Sequence, residues 1–195
     1  GLRDKIALFC NVPASHVLQN LDVETLYEAP LAMEKEHLAD VICECLQLDC
    51  PEPDITEWEN MVNTIKNLEK DVTVALVGKY TSLHDAYISV VESLKHGGLA
   101  HKSNVNIKWI PSEDLNESNV DELLSDVSGV LVPGGFGDRG IDGKIEAIRY
   151  ARTHGLPFLG LCLGMQLSIV EFARDVVGLK DAHSVELDPQ TTNPV

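Results

Sequence analysis

The sequence has few aromatic residues and few basic ones. Aromatic side chains make up 5% of the chain, and 15 Lys and Arg stand against 31 Asp and Glu, which gives a formal net charge of -16. Proteins that bind nucleic acid non-specifically neutralise phosphates with Lys and Arg, so this composition argues against a nucleic-acid partner. It does not exclude small anionic ligands, because a few local cations and backbone N–H groups can hold them.

Long apolar runs and paired cysteines are also missing. No stretch approaches the roughly 18 apolar residues of a membrane span, and no segment resembles a signal peptide. We therefore expect a cytoplasmic protein with no membrane partner. The five cysteines are odd in number and form no Cys-x-x-Cys pair, so neither a disulfide framework nor a metal site is indicated. Cys43, Cys45 and Cys50 are interpreted as buried thiols near a helix end.

The first 50 residues are too few to close a core of their own. Their pattern predicts a strand at Lys5–Val12, a short strand at Val17–Leu21 and a helix at Leu31–Leu46. A segment of this size buries too little apolar surface to be secure alone. The sequence also begins at Gly1 without a Met and stops at Val195 without a capping signal, so we expect a fragment of a longer protein.

Residues 51–71 predict a linker helix between two domains. The breaker cluster Cys50–Asp54 is followed by apolar residues at spacings of three and four, which are typical of an amphipathic helix. These residues are Trp58, Met61, Val62, Ile65 and Leu68. Their single apolar face suggests a helix that docks two domains together.

Residues 72–195 alternate between short β-branched runs and helical stretches. The predicted strands are Val72–Val77, Val105–Ile110, Val127–Val132 and Pro157–Leu161, and the predicted helices are Asp85–His96, Asn119–Leu124 and Asp142–Thr153. This alternation predicts an α/β fold with a mostly parallel sheet flanked by helices. Ligands bind such sheets at the carboxyl ends of the strands.

The segment Gly160–Gly164 has the pattern of a nucleophile elbow with Cys162 in place of serine. It follows an apolar strand and precedes an apolar helix, and glycines at both flanks allow the sharp turn and close packing that an elbow needs. The first turn of a helix also favours negative charge, hence a thiolate. The alternative is a buried structural thiol, since free Cys is often buried, but the full strand, turn and helix context favours a nucleophile.

A glycine-rich loop, Pro133–Gly140, follows the preceding strand. Its backbone N–H groups could stabilise a tetrahedral oxyanion next to the elbow. A phosphate-binding loop is the competing interpretation, but no Gly-Lys-Ser/Thr sequence ends this loop, and the dinucleotide fingerprint is not matched. The third interpretation is a flexible turn without a binding role.

Five stretches in the same order resemble the CTP synthase family, whose glutaminase half belongs to the class I glutamine amidotransferases. They are Gly1–Cys10, Val77–Tyr80, Asp85–Tyr87, Pro133–Gly140 and Gly160–Gly164. The resemblance implies that residues 1–50 are the C-terminal tail of an α/β synthetase (amidoligase) domain. Residues 72–195 would then be a glutamine amidotransferase domain that is truncated at its C-terminal end.

The resemblance also implies an activity, namely ATP-dependent amination of UTP to CTP with ammonia that Cys162 releases from glutamine through a thioester. The amides of Gly135 and Leu163 would form the oxyanion hole. The amino-acid end of glutamine would contact a further set of residues. These are Gly135, Leu163, Gly164, Met165, Gln166 and Glu186.

By the same resemblance, Lys5 would bind the pyrimidine nucleotide, and Leu21, Asp22 and Val23 would contact ATP, although Leu21 stands where some members carry Lys. ATP and Mg²⁺ would be bound mainly by an upstream domain. GTP would act as allosteric activator, and CTP as feedback inhibitor. The GTP pocket would involve Lys79, Tyr80, Phe136 and Arg139. A homotetramer is implied, with stacking into filaments as a further expectation.

The family's triad His and Glu are expected outside these residues, so the fragment alone is predicted to be inactive. His183 lies only shortly after Cys162 in the chain, and we interpret it as an incidental loop residue, because an elbow cysteine and its base normally come from distant positions. Two alternatives stay open. One is a stand-alone glutamyl hydrolase or other cysteine hydrolase of similar fold, and the other is a non-catalytic regulatory or assembly domain.

Overall fold

The computed structural model describes residues 1–195, which divide into two units, Gly1–Leu68 and Glu69–Val195. None of the helices combines the length and the apolar character that a membrane crossing needs.

The first unit is helical and contains no strand. Short 3-10 turns at Ala14–His16 and Leu26–Glu28 connect its helices. The helices are α1 (Leu2–Cys10), α2 (Ala29–Lys35), α3 (Leu38–Leu46) and α4 (Thr56–Lys66).

The prediction of two strands in this unit is wrong. The segment predicted as strand Lys5–Val12 belongs mostly to α1, which ends where Asn11 adopts a left-handed conformation with φ 53°. A short apolar run does not distinguish a strand from a helix by its periodicity. The segment Val17–Leu21 forms no strand either, because the backbone there follows the turn Ala14–His16 as irregular chain.

The helix expected at Leu31–Leu46 is two helices. His37 has φ 61° and separates α2 from α3. The expectation of buried thiols at the end of α3 is also wrong, because Cys45 and Cys50 are exposed and Cys43 is half-buried. The apolar faces of these short helices find few partners within the unit, so their thiols stay near the surface.

The helix predicted within residues 51–71 is confirmed as α4. Within the first unit, the Trp58 Nε1–H group donates a hydrogen bond of 2.6 Å to the Tyr27 carbonyl, and Lys66 Nζ lies 2.7 Å from Glu28 Oε1. Val62 is the buried residue of this helix.

The second unit contains a parallel four-stranded sheet in the order β2-β1-β3-β4, as predicted. Strand β1 occupies a central position and pairs with β2 over its whole length, from Lys70 opposite Ser103 to Gly78 opposite Pro111. The strands are β1 (Lys70–Gly78), β2 (Ser103–Pro111), β3 (Gly129–Val132) and β4 (Phe158–Gly160). A separate pair of two-residue strands follows, β5 (Ala182–His183) and β6 (Asn193–Pro194).

Alternate side chains of the sheet pack into two apolar clusters, because successive residues of a strand point to opposite faces. One cluster joins Ala75 and Val132 to residues of α6, α7 and α8. The other joins Leu76 and Leu131 to residues of α5. The helices are α5 (Ile88–Ala100), α6 (Val120–Leu124), α7 (Ile141–His154) and α8 (Leu163–Phe172), with a π turn at Ala173–Val177 after α8. Helices thus cover both faces, as the predicted α/β fold requires.

Candidate active site

The elbow forms where β4 ends and α8 begins. Cys162 lies between them with φ 50° and ψ -106°, a backbone conformation that costs a residue with a side chain on the order of 1–3 kcal/mol. Strain of this kind persists where packing on both sides holds it and is concentrated at functional sites. The Cys162 side chain is exposed rather than sealed in apolar packing.

The two glycines of the elbow are required by space. A Cβ atom at Gly160 would lie 2.6 Å from the backbone of Gly164, and a Cβ atom at Gly164 would overlap the carbonyl oxygen of Val132. The steric role predicted for these glycines is therefore confirmed. Close packing at both positions lets α8 start directly above the carboxyl end of β3.

The glycine-rich loop faces the thiol. Strands β3 and β4 are parallel neighbours, with Val132 opposite Gly160, so the loop and the elbow leave the same edge of the sheet. Cys162 Sγ lies 3.9 Å from the position that a Cβ atom at Gly134 would occupy. A Cβ atom there would stand at ordinary van der Waals distance from the sulfur, so the loop and the thiol lie close together.

Two backbone N–H groups near the thiol donate to no backbone carbonyl, as the donors of an oxyanion hole must. Leu163 is the first residue of α8, and the N–H of a first helical residue has no acceptor inside the helix. The N–H of Gly135 donates to no backbone carbonyl. The Leu163 side chain also lies 3.8 Å from the Cβ position of Gly135, so both residues belong to one small region. Their role as oxyanion donors stays a prediction.

The residues expected to hold the amino-acid end of glutamine are placed differently from one another. Met165 is exposed and Gln166 half-buried at the start of α8, beside the thiol in the chain. Glu186 lies on an exposed turn, where its own N–H donates to Ser184 Oγ at 3.3 Å. Its carboxylate makes no hydrogen bond or ion pair in the structure, so its assignment also stays a prediction.

Three of the four residues expected to form the effector pocket come together. Lys79 Nζ donates to the Phe136 carbonyl at 3.1 Å and lies 5.8 Å from the centre of the Tyr80 ring. Phe136 itself is 83% exposed. Arg139 is engaged with Glu113, at 3.1 Å between Nε and Oε1. The tip of the glycine-rich loop therefore carries a cation and two accessible aromatic rings.

The remaining residues predicted from sequence take no part in the contacts of the elbow or of the glycine-rich loop. His183 accepts a hydrogen bond from Ser184 N at its Nδ1 atom, at 3.0 Å. In the first unit, Lys5 lies exposed on α1, and residues 21–23 lie in irregular chain. The chain holds no group of three or more His, Cys, Asp or Glu side chains suited to a metal ion.

Sequence reasoning gave no role at the site to two residues that lie near it, Tyr87 and Lys144. The Tyr87 hydroxyl accepts hydrogen bonds from the N–H groups of Lys79 and Tyr80, at 3.1 and 3.3 Å. Lys144 is 1% exposed on α7, and burial together with the nearby charge of Lys79 lowers the pKa of its ammonium. A lysine near the start of a helix gives no sign of burial in sequence, so only the fold could reveal it.

The family model for glutamine amidotransferase class-I matches residues 82–192. The chain belongs to the class I glutamine amidotransferase family. The matched range includes both the glycine-rich loop and the elbow, so the two motifs lie in the part of the chain that defines the family. A second model, for the CTP synthase N-terminus, matches residues 1–48 of this amidotransferase.

Curated relatives of this amidotransferase are CTP synthases. Those of Clostridium acetobutylicum and Clostridium perfringens are each 59% identical over 194 residues, and that of Listeria monocytogenes is 52% identical over the same length. In each case 100% of this chain is covered but 36% of the relative. The chain thus spans about a third of the length of the curated relatives it matches.

A solved structure supports the same assignment. The glutaminase domain of Trypanosoma brucei CTPS with bound acivicin is 41% identical and matches with a TM-score of 0.59. The match covers 64% of this amidotransferase and 48% of that chain. The family is therefore shown by fold as well as by sequence.

Proposed function

We propose that this chain is part of a CTP synthase and that Cys162 is the nucleophile that releases ammonia from glutamine. The observation that carries the proposal is the strained, exposed Cys162 facing the Gly134–Gly135 loop. The elbow belongs to a class I amidotransferase, and the CTP synthases that are 59% identical extend over the whole chain. The acivicin bound in the solved glutaminase domain accords with a glutamine site in this family.

In the proposed reaction the Cys162 thiolate attacks the carboxamide carbon of glutamine. The carbonyl oxygen becomes an oxyanion that the N–H groups of Gly135 and Leu163 stabilise. The C–N bond then breaks, the nitrogen leaves as ammonia after taking up a proton, and a glutamyl thioester remains. Water hydrolyses the thioester to glutamate and restores the thiol. We place the His base and its orienting Glu outside this chain, and the exposed start of α8, Leu163–Gln166, together with Glu186 would hold the amino-acid end of glutamine.

The released ammonia would then aminate UTP. In the synthetase reaction ATP phosphorylates the 4-oxygen of the uracil ring, and ammonia displaces that phosphate to give CTP. We assign Lys5 to the pyrimidine nucleotide and residues 21–23 to ATP. This chain holds no group of three or more His, Cys, Asp or Glu side chains suited to a metal ion, so the Mg²⁺ that accompanies ATP would be bound by the remainder of the protein.

Regulation and assembly complete the proposal. GTP would bind at the tip of the glycine-rich loop. The Lys79 cation suits a phosphate group, and the accessible rings of Tyr80 and Phe136 suit a nucleotide base, with Arg139 at the rim. CTP would act as feedback inhibitor. The full-length protein would form a cytoplasmic homotetramer that can stack into filaments.

The test uses the full-length protein with Cys162→Ala. We expect CTP formation from glutamine to be lost, while CTP formation from ammonium chloride is retained, because nitrogen release and nitrogen use occupy different sites. Cys10→Ala is the matched control, since Cys10 is also a free, exposed cysteine, and it should leave both activities unchanged. Loss of both activities in a folded Cys162→Ala variant would contradict the assignment.

The same assay separates the proposal from its main alternative. If the unaltered full-length protein hydrolyses glutamine at Cys162 but forms no CTP from either nitrogen source, a stand-alone hydrolase would explain the elbow better than a synthase does.

A further inference from the structure

The Lys144 side chain is buried without a partner of opposite charge. It is 1% exposed, and neither a hydrogen-bond acceptor nor a carboxylate offsets this burial. An ammonium that is taken out of water loses hydration free energy, and here no opposite charge replaces it. No interaction within the second unit therefore compensates for the burial of this cation.

The ammonium group lies near the glycine-rich loop that the thiol also faces. Lys144 Nζ is 3.7 Å from the Cβ position of Gly135, and Cys162 Sγ is 3.9 Å from the Cβ position of Gly134. The thiol and the ammonium therefore lie near neighbouring residues of one loop. The Leu163 side chain lies near the same Gly135 position, at 3.8 Å.

The charged groups around Lys144 do not neutralise it. Lys79 contacts the same loop, at 3.7 Å from the Cβ position of Gly137, and it has the same sign of charge. Arg139 at the rim is already paired with Glu113. On α7 itself, Asp142 is exposed to solvent, and Glu146 is held by Arg149 at 2.6 Å.

We propose that Lys144 is a positioning residue for the proposed glutaminase reaction, and that its buried ammonium stabilises the negative charge that develops on Cys162 and on the oxyanion beside Gly135. This inference rests on the proposed function. Before reaction no carboxylate balances the Lys144 cation. When the thiolate or the oxyanion forms, its negative charge and the Lys144 ammonium attract each other across the Gly134–Gly135 loop.

The role differs from that of the oxyanion donors. Gly135 and Leu163 would donate hydrogen bonds to the oxygen, whereas Lys144 would act through the loop without touching the substrate. Its effect should therefore appear in the chemical step and in the ionisation of the thiol. Glutamine binding should not depend on it.

The test is Lys144→Met in the full-length protein, because Met keeps most of the apolar stem and removes the charge. We expect kcat for glutamine hydrolysis to fall about tenfold with KM unchanged, as the loss of a favourable charge near the reacting atoms would predict. We also expect alkylation of Cys162 by iodoacetamide at pH 7 to slow by about the same factor, with the midpoint of its pH profile moved upward. Lys108→Met is the matched control, because Lys108 forms a surface pair with Asp126 at 2.6 Å, and it should change neither readout.

A folded Lys144→Met protein with unchanged kcat and an unchanged alkylation profile would overturn the proposal. If that variant does not fold, Lys144→Gln takes its place, and failure of both to fold would equally overturn it, since an electrostatic role does not require the charge for folding. Failure of the proposed function is recognised separately. In that case the unaltered protein would show no glutaminase activity that depends on Cys162, whatever residue stands at position 144.

Discussion

The two units of the molecule differ in how much apolar surface they bury. In Gly1–Leu68 the buried apolar residues are Ala7 and Val62, and large apolar side chains such as Leu8 and Phe9 are exposed. In Glu69–Val195 two clusters cover both faces of the sheet, and residues such as Leu76 are 0% exposed. Since burial of apolar surface is the main stabilising contribution to a fold, the second unit has its own source of stability and the first has little.

This difference has a consequence for function. A strained residue such as Cys162 persists only where its surroundings hold it in place, and the packed elements β3, β4 and α8 do so in the second unit. The first unit holds its helices mainly with exposed polar contacts, such as the one between Lys66 and Glu28, and such contacts contribute little. The conformation of Cys162, with φ 50° and ψ -106°, is thus held by a packed core of a kind that the first unit lacks.

Each unit contains one of the two tryptophans, Trp58 in the first and Trp109 in the second. Trp109 is stacked on His84 with ring centres 4.2 Å apart. Replacing one tryptophan by Phe leaves the other as a fluorescence probe of its own unit. Unfolding of each unit can therefore be measured separately, in two variants that each keep one tryptophan.

The largest expected effect is that of Leu76→Ala. Removing this fully buried side chain should lower the free energy of unfolding of the second unit by about 3 kcal/mol, because a cavity remains in the core. The measurement is urea unfolding followed by Trp109 fluorescence. Leu8→Ala is the matched change in the first unit, where the side chain is 80% exposed, and Trp58 fluorescence should show a change within about 0.5 kcal/mol. Equal effects of the two substitutions would break the comparison between the units.

Arg152→Met should have the next largest effect. Glu171 is 1% exposed and accepts hydrogen bonds from Arg152 Nε and Nη2 at 2.9 and 2.7 Å. Without Arg152 the buried carboxylate has lost its partner, so we expect about 2 kcal/mol of destabilisation, measured by Trp109 fluorescence in urea. The double variant Arg152→Met/Glu171→Met is the control and should recover most of this loss. A double variant less stable than the single one would show that packing rather than charge explains the effect.

Val62→Ala tests the small core of the first unit. Val62 is buried in α4, so its loss creates a cavity, but Ala has the higher helix propensity and offsets part of the cost. We expect a net loss of about 1 kcal/mol, measured by Trp58 fluorescence in urea. A loss as large as that of Leu76→Ala would show that the first unit has a tighter core than its exposed side chains indicate.

The smallest expected effect is the contribution of one surface ion pair in each unit to the pH dependence of stability, and it should be similar in the two units. The hydrogen bond from Lys66 lowers the pKa of Glu28, and the hydrogen bond from Lys108 lowers the pKa of Asp126. A carboxylate with a lowered pKa contributes stability above its unfolded pKa, and that contribution is lost as the pH falls through the folded value. In these pairs the loss begins at about pH 4.

Glu28→Gln and Asp126→Asn should each flatten the acid side of the stability profile slightly, in the first and second units respectively. The measurement is the urea midpoint between pH 3 and pH 7 by the two tryptophan probes. A clear acid dependence that disappears in only one of the variants would show that the surface pairs, and not only the cores, distinguish the units.

The same difference between the units explains where prediction from sequence succeeded. Each of the four strands of the sheet overlaps a segment predicted as a strand, because buried parallel strands are short apolar runs bounded by turns. The strands β1 and β2 extend beyond the predicted segments at both ends. The elbow was recognisable because the spaces at Gly160 and Gly164 admit no side chain. In the first unit the apolar run at Ile6–Cys10 carried no periodicity that separates helix from strand, so α1 was mistaken for a strand. The left-handed conformation of His37 likewise left no mark in the sequence.

The sequence by itself determined the parallel sheet, the order of its elements and the elbow with Cys162, because each depends on local apolar patterning or on glycine where a side chain cannot fit. Only the tertiary structure decided that the thiol is exposed and faces the Gly134–Gly135 loop, and that the Lys144 side chain is buried near the same loop. These features arise from the packing of residues distant in the chain. Local pattern does not record burial or the charge of a distant neighbour, and both depend on which elements the fold brings together.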